Sequence, residues 1–205
     1  MNKAIAATGE TSGVTAGLPA PDFELESDGG GRVSLADFEG KWLIVYFYPK
    51  DNTPGCTREA QAFTAAVAGL KKLGAAVVGI SKDSVKSHCG FRDKFGIRFP
   101  LLSDPDLAVH KAYGAWGLKT MYGKKVEGTI RSTFLVGPDG TIARAWRSVK
   151  VDGHSDAVEE ALREAQSGEP DRAAKAKTKA AKAAKEPAAK AKTTAAKGKK
   201  TPARS

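Results

Sequence analysis

Residues 42–48 (Trp-Leu-Ile-Val-Tyr-Phe-Tyr) form a continuous apolar run without polar alternation. Such a run marks a strand covered on both faces, at the centre of a mixed or parallel sheet. Residues 75–80 repeat the pattern and predict a second buried strand. Between the two runs, Pro49 ends the first and Asp51-Asn52-Thr53-Pro54-Gly55 forms a loop. Ala60, Phe63, Val67 and Leu70 then recur at helical spacing, with Cys56 at the head of the stripe. Residues 84–95 predict a second helix, weakened in its middle by Gly90. Residues 105–113 predict a third, with Asp104 as N-cap and Pro105 at the first helical position. Residues 19–26 and 32–35 flank Gly29-Gly30-Gly31 as a short hairpin. Residues 132–136 and 141–146 are strands joined by a Gly-Pro-Asp-Gly turn, and residues 154–166 supply a closing amphipathic helix. Residues 116–128 read as a surface loop leading to Arg131. Strands alternating with helices, then a late hairpin, indicate a three-layer α/β domain around a central sheet.

Charge divides the chain. Of its 33 Lys and Arg, twelve lie in residues 172–205 against a single acid, Glu186, which leaves 21 bases and 22 acids before them. The net +10 therefore belongs to the tail, whose Ala, Lys, Thr, Pro and Gly offer no large apolar side chain. Such a segment buries too little surface to offset its ordering entropy and is expected to be disordered. The expected organisation is a flexible segment 1–17, a folded domain 18–168 and a disordered basic tail 169–205. No apolar run approaches the roughly 18 residues of a membrane span, and the first twenty residues lack a secretory apolar core. A soluble cytoplasmic protein is the expectation. Two cysteines are too few for a disulfide-dense scaffold or a four-cysteine zinc site. His88, His110 and His154 are too dispersed for a ligand set and are expected to be solvated or helix-capping.

Each thiol is then worth inspecting, Cys56 first. It follows a buried strand and a tight loop, so it falls in the first turn of a helix. Free backbone N–H groups and the positive end of the helix dipole there favour a thiolate, the reactive form of cysteine. Position alone leaves open the other reading, a small buried hydrophobe.

The neighbours of Cys56 narrow the choice. Pro49-x-x-x-Thr53-x-x-Cys56 resembles the active-site pattern of the peroxiredoxins, thiol peroxidases of thioredoxin-like fold. The string Tyr46-Phe47-Tyr48-Pro49-Lys50-Asp51-Asn52-Thr53-Pro54-Gly55-Cys56-Thr57 is similar to the peroxiredoxin Q, or bacterioferritin comigratory protein, subfamily. Ala20-Pro21-Asp22-Phe23, Gly79-Ile80-Ser81-Lys82-Asp83-Ser84, Phe99-Pro100-Leu101-Leu102-Ser103-Asp104 and Arg131-Ser132-Thr133-Phe134-Leu135 match in the same order. The resemblance implies a thioredoxin-like α/β/α fold with a mixed sheet, a peroxidatic Cys56, and an Arg131 folded beside it to stabilise the thiolate and the departing oxygen. It also implies a hydrogen-bonding role for Thr53 and shielding of the thiolate by Pro49, while Glu59 reads equally as orienting an arginine or as an exposed first-turn acid. Peroxide is the implied substrate and thioredoxin or a similar dithiol the implied reductant. No cofactor or metal is implied, and the subfamily leans monomeric.

One departure matters. Many peroxiredoxin Q proteins carry a resolving cysteine five residues after the nucleophile, where this chain has Gln61. The other thiol is Cys89, in the next predicted helix, and some members resolve from that helix. Cys89 is thus the candidate resolving residue, through an intramolecular disulfide that demands local unwinding. The alternatives are a core-facing Val85–Cys89 pair that only packs, and a one-cysteine peroxidase. The tail, residues 172–205, suits non-specific binding of nucleic acid phosphates or simple solubilisation. A nucleic-acid-associated protein with an inactive α/β body is the rival reading. Thioredoxin-type exchange is disfavoured because no Cys-x-x-Cys occurs.

Overall fold

The structure, a computed structural model, describes residues 13–121 and 124–168. The basic tail expected to be disordered lies outside the described residues, as do residues 1–12. The elements run β1 (Glu24–Ser27), β2 (Arg32–Ser34), a 3-10 turn (Leu35–Phe38), β3 (Trp42–Phe47), α1 (Pro54–Lys72), β4 (Ala75–Ser81) and α2 (Val85–Phe95). They continue with β5 (Leu101–Ser103), α3 (Ala108–Ala112), β6 (Trp116–Met121), β7 (Lys124–Thr129), β8 (Ser132–Val136), β9 (Ile142–Arg147) and α4 (His154–Ser167).

Seven strands form one sheet in the order β2-β1-β5-β4-β3-β8-β9. The apolar run of β3 lies inside it, parallel to β4 and antiparallel to β8. Its side chains alternate between two cores, as the period of a strand requires. Ile44, Tyr46 and Tyr48 pack with Phe63 of α1, Phe91 of α2 and Leu162 of α4. Leu43, Val45 and Phe47 pack with Val109 and Tyr113 on the opposite face. Each such buried side chain contributes about 1.5–3 kcal/mol. The result is the expected three-layer arrangement with a mixed central sheet.

Three expectations need correction. Residues 116–128 are not a loop but the greater part of a β6–β7 antiparallel hairpin, in register from Trp116↔Thr129 onward. The hairpin pairs only with itself, so it lacks the apolar run that reveals a core strand. Residues 105–107 form a turn, and α3 starts at Ala108 with Leu107 in the left-handed region at φ 60°. Leu107 and not Asp104 is therefore its N-cap, although the Asp104 carboxylate accepts the first-turn His110 backbone N–H at 2.8 Å. Finally, residues 13–17 are not frayed. Val14 is buried, Gly17 N–H donates to the Ile142 carbonyl at 2.8 Å, and Arg147 donates to the Val14 carbonyl at 3.0 Å.

Candidate active site

The chain leaves β3 through Pro49, turns at Asn52 in the left-handed region (φ 58°), and re-enters helical geometry after Thr53, the N-cap of α1. Pro54 takes a first-turn position, where its missing N–H costs nothing and its φ suits the helix. The Thr53 hydroxyl donates to the Lys50 carbonyl at 3.0 Å, so it ties the loop together instead of capping the helix. Cys56 is the third helical residue and only 1% exposed. Its sulfur therefore sits at the positive end of a 19-residue helix.

Arg131 reaches this sulfur from 75 residues away. It immediately precedes β8, whose first residue, Ser132, pairs with Phe47 at the end of β3. That register delivers Arg131 to the end of the strands from which the cysteine loop departs. Its Nη2 donates to Cys56 Sγ at 3.3 Å, and its Nη1 donates to Glu59, one helical turn beyond Cys56. Of the two readings of Glu59, the buried acid that orients an arginine is the geometry seen. Burial pushes the Glu59 carboxyl up to about 7, against the pull of the Arg131 charge. Burial alone would lower Arg131, but Glu59 and the Cys56 sulfur hold its guanidinium above the ordinary value. A fixed cation therefore faces the sulfur where negative charge must be stabilised.

Tyr46 closes the floor of the site. Its phenol lies opposite Gly79 in the β3–β4 pairing, where a Cβ would approach it to 2.8 Å, so the glycine makes room for the ring. Pro49 and Thr53 are both half-buried on the loop between β3 and Cys56. Cys89 lies on α2, half-buried, and its thiol donates to the Asp28 carbonyl at 3.4 Å. Both thiols are free. The buried face of α2 is made by His88 and Phe91, so Val85 and Cys89 do not form the core-facing pair considered as an alternative.

Residues 16–145 match the AhpC/TSA family. The chain belongs to the AhpC/TSA family. Within it, the Peroxiredoxin Bcp of Xanthomonas campestris pv. campestris is 50% identical over 148 residues, covering 71% of this chain and 92% of that one. The Peroxiredoxin Bcp of Bacillus subtilis is 43% identical over 146 residues, covering 71% and 91%. A solved structure of Xanthomonas campestris bacterioferritin comigratory protein, described for its alkyl peroxide reduction activity, superposes with a TM-score of 0.68. It shares 48% identity and covers 72% of this chain and 97% of that one. This AhpC/TSA protein is a peroxiredoxin of the Bcp group, with a thioredoxin-like fold and thiol-dependent peroxidase activity.

The peroxiredoxin scaffold also holds residues that the sequence left unassigned. None of the three histidines is solvated: His88 and His110 are 0% exposed and His154 is 6% exposed. Each has a hydrogen-bonding partner on at least one ring nitrogen. His110 pairs with Asp104 at 2.6 Å, and His154 Nε2 lies 2.8 Å from the Thr133 hydroxyl. Burial, aided by the nearby Arg131 charge, pushes His154 down to about 4. His88 pairs with Asp51 of the cysteine loop at 2.9 Å. Lys119 of β6 lies across Gly128 and donates to the Thr129 carbonyl at 3.0 Å. Burial and the Arg131 charge lower its ammonium, while Cys56 opposes them. An adjacent His-Cys pair on α2 and an acid a few residues after a strand were the available signals for His88 and Asp51. Neither distinguishes a buried pair from two surface residues. Among the described residues no helix is long and apolar enough to cross a membrane.

Proposed function

We propose that Cys56 is the peroxidatic nucleophile of this enzyme and Cys89 its resolving partner. The thiolate of Cys56 attacks one oxygen of a hydroperoxide. The S–O bond forms as the O–O bond breaks, the departing oxygen takes a proton, and Cys56 becomes a sulfenic acid while an alcohol or water leaves. Arg131 stabilises both the sulfur and the charge on the departing oxygen. Thr53 and the loop backbone orient the peroxide, and Pro49 keeps water from the sulfur. Cys89 then attacks the sulfenic sulfur, forming a disulfide with release of water, and thioredoxin or a similar dithiol reduces the disulfide. Hydrogen peroxide and organic hydroperoxides are the substrate class. The alkyl peroxide reduction described for the Xanthomonas relative supports the organic members.

The observation that carries this reading is the Arg131 guanidinium, shared between a buried Cys56 sulfur and a buried Glu59 carboxylate. The half-buried position of Cys89, off the core face of α2, supports its availability for attack. Intact mass under non-reducing conditions, after one equivalent of hydrogen peroxide, tests both roles. The expected result is loss of two hydrogens, abolished by Cys56→Ser or by Cys89→Ser. Gain of oxygen on Cys56 alone makes the enzyme a one-cysteine peroxidase, and an unchanged mass with unconsumed peroxide overturns the reading. The enzyme is further proposed to be a cytoplasmic monomer. Its residues 172–205, outside the described residues, are proposed to add salt-sensitive nucleic acid binding through twelve bases against one acid. Deleting them should abolish DNA retention and spare peroxidase turnover.

A further inference from the structure

A buried polar network joins the loop that carries Cys56 to the helix that carries Cys89. The Asp51 carboxylate, in a residue 4% exposed, is its centre. It accepts from the Tyr48 hydroxyl at 2.8 Å, from the Ser87 hydroxyl at 2.6 Å, and from His88 Nδ1 at 2.9 Å. The other ring nitrogen of His88 lies 3.3 Å from the Leu102 carbonyl, so the ring is held at both ends. The Asp51 backbone N–H donates to Asp83 at 2.7 Å, just before the Ser84 N-cap of α2. Burial alone would raise the Asp51 carboxyl, but His88 and Ser87 hold it below the ordinary range.

The chemistry of resolution acts against this network. A disulfide requires the two Cα atoms within about 4.4–6.8 Å. The Cys89 thiol is bonded instead to the Asp28 carbonyl, and the Arg92 guanidinium donates to the same oxygen at 2.9 Å. Cys89 is the fifth residue of α2, so bringing it out toward Cys56 opens the N-terminal half of that helix. Ser87 and His88 immediately precede Cys89, so opening withdraws two donors from the Asp51 carboxylate. Removing donors from a buried carboxylate is costly, because the acceptor loses hydrogen bonds it cannot replace without water.

We propose that the contact of Asp51 with Ser87 and His88 is a latch whose strength sets the rate of disulfide formation, independently of the rate of peroxide attack. Ser87 and His88 are positioning residues: they act through the helix that holds Cys89 and touch neither peroxide nor sulfur. The inference rests on Cys89 being the resolving residue. It goes beyond that reading by assigning the barrier of the second step to named hydrogen bonds. The step remains Cys56–SOH plus Cys89–SH giving the disulfide and water, with no added oxidant.

Single-turnover oxidation with one equivalent of hydrogen peroxide, acid-quenched over time and read by intact mass, separates the two steps. Peroxide-dependent loss of the Cys56 thiol reports the first, and peroxide-independent loss of water from the sulfenic acid reports the second. His88→Leu is expected to accelerate the second step roughly tenfold and Ser87→Ala several-fold, with the first step unchanged. His88→Asn, which keeps a donor near the Nδ1 position, is expected to stay close to the parent rate. A merely structural defect would slow the peroxide step as well. If His88→Leu fails to fold, Ser87→Ala alone decides. A second step unchanged or slowed in Ser87→Ala and in any folded His88→Leu overturns the latch. Should the water-loss step survive Cys89→Ser, the resolving role falls and the latch with it; its disappearance in that control leaves a latch failure standing on its own.

Discussion

The two cysteines occupy opposite kinds of environment. Cys56 is 1% exposed, fixed at the junction of a central strand and a long helix, and faced by a half-buried cation. Cys89 is half-buried near the middle of an 11-residue helix, and its thiol meets a neutral carbonyl. The first site is built on the best-packed part of the fold, where geometry is held by β3, β8 and the α1 core. The second sits on a helix tied to the Cys56 loop by a local polar network. On the proposed roles of the two cysteines, the fold separates a step needing preorganisation from a step needing motion.

Substitution at the sulfurs should separate the two environments most completely. Cys56→Ser should abolish peroxide consumption, whereas Cys89→Ser should permit one turnover and then stop, as a coupled peroxide-consumption assay would show. Arg131→Met should come next, lowering the second-order rate of Cys56 oxidation by roughly 10²–10³-fold, the loss expected for one preorganised donor. The same change should leave the water-loss step within about twofold if the two environments are separable.

Smaller effects probe the electrostatics behind Arg131. Glu59 is pushed from 4.5 up to about 7 in the folded protein. Its contribution to stability is therefore full below about 4.5 and lost as pH rises through about 7, a change of at most about 3 kcal/mol. His154 is pushed from 6.5 down to about 4. Its contribution is therefore full above about 6.5 and lost as pH falls through about 4. Urea unfolding across pH 4–8 should show the opposing slopes once each is removed. Glu59→Gln should make stability rise more steeply with pH, and His154→Gln should make it rise less. Equal slopes in parent and variants would show that neither group carries the burial assigned to it.

Much of this was legible before folding. The central strands stood out because both faces of β3 and β4 are covered, and a strand covered on both faces has no need of polar residues. The hairpin of β6 and β7 was hidden because it pairs only with itself and carries Gly117, Lys119, Lys125 and Gly128 among its residues. Three-residue β5 was too short for any period to show. The histidines, expected to be solvated or helix-capping, are buried instead, and composition does not show which polar residues find a buried partner. His88 does so only because Asp51, 37 residues earlier, returns beside it when β3 and β4 pair.

Local sequence was enough for the layered α/β architecture, the placement of Cys56 at a strand-to-helix junction, and the family resemblance that singled out Arg131 and Cys89. These follow from periodicity, turn chemistry and motif spacing, all of which act over a few residues. It took the folded chain to divide the Arg131 guanidinium between Cys56 and Glu59, to point Cys89 at Asp28, and to tie one cysteine's loop to the other's helix through Asp51. Those contacts span 61 to 75 residues in the first two cases and 36 to 37 in the last. Strand register and burial set them, because a charged or polar group withdrawn from water must find its partner wherever the fold brings one.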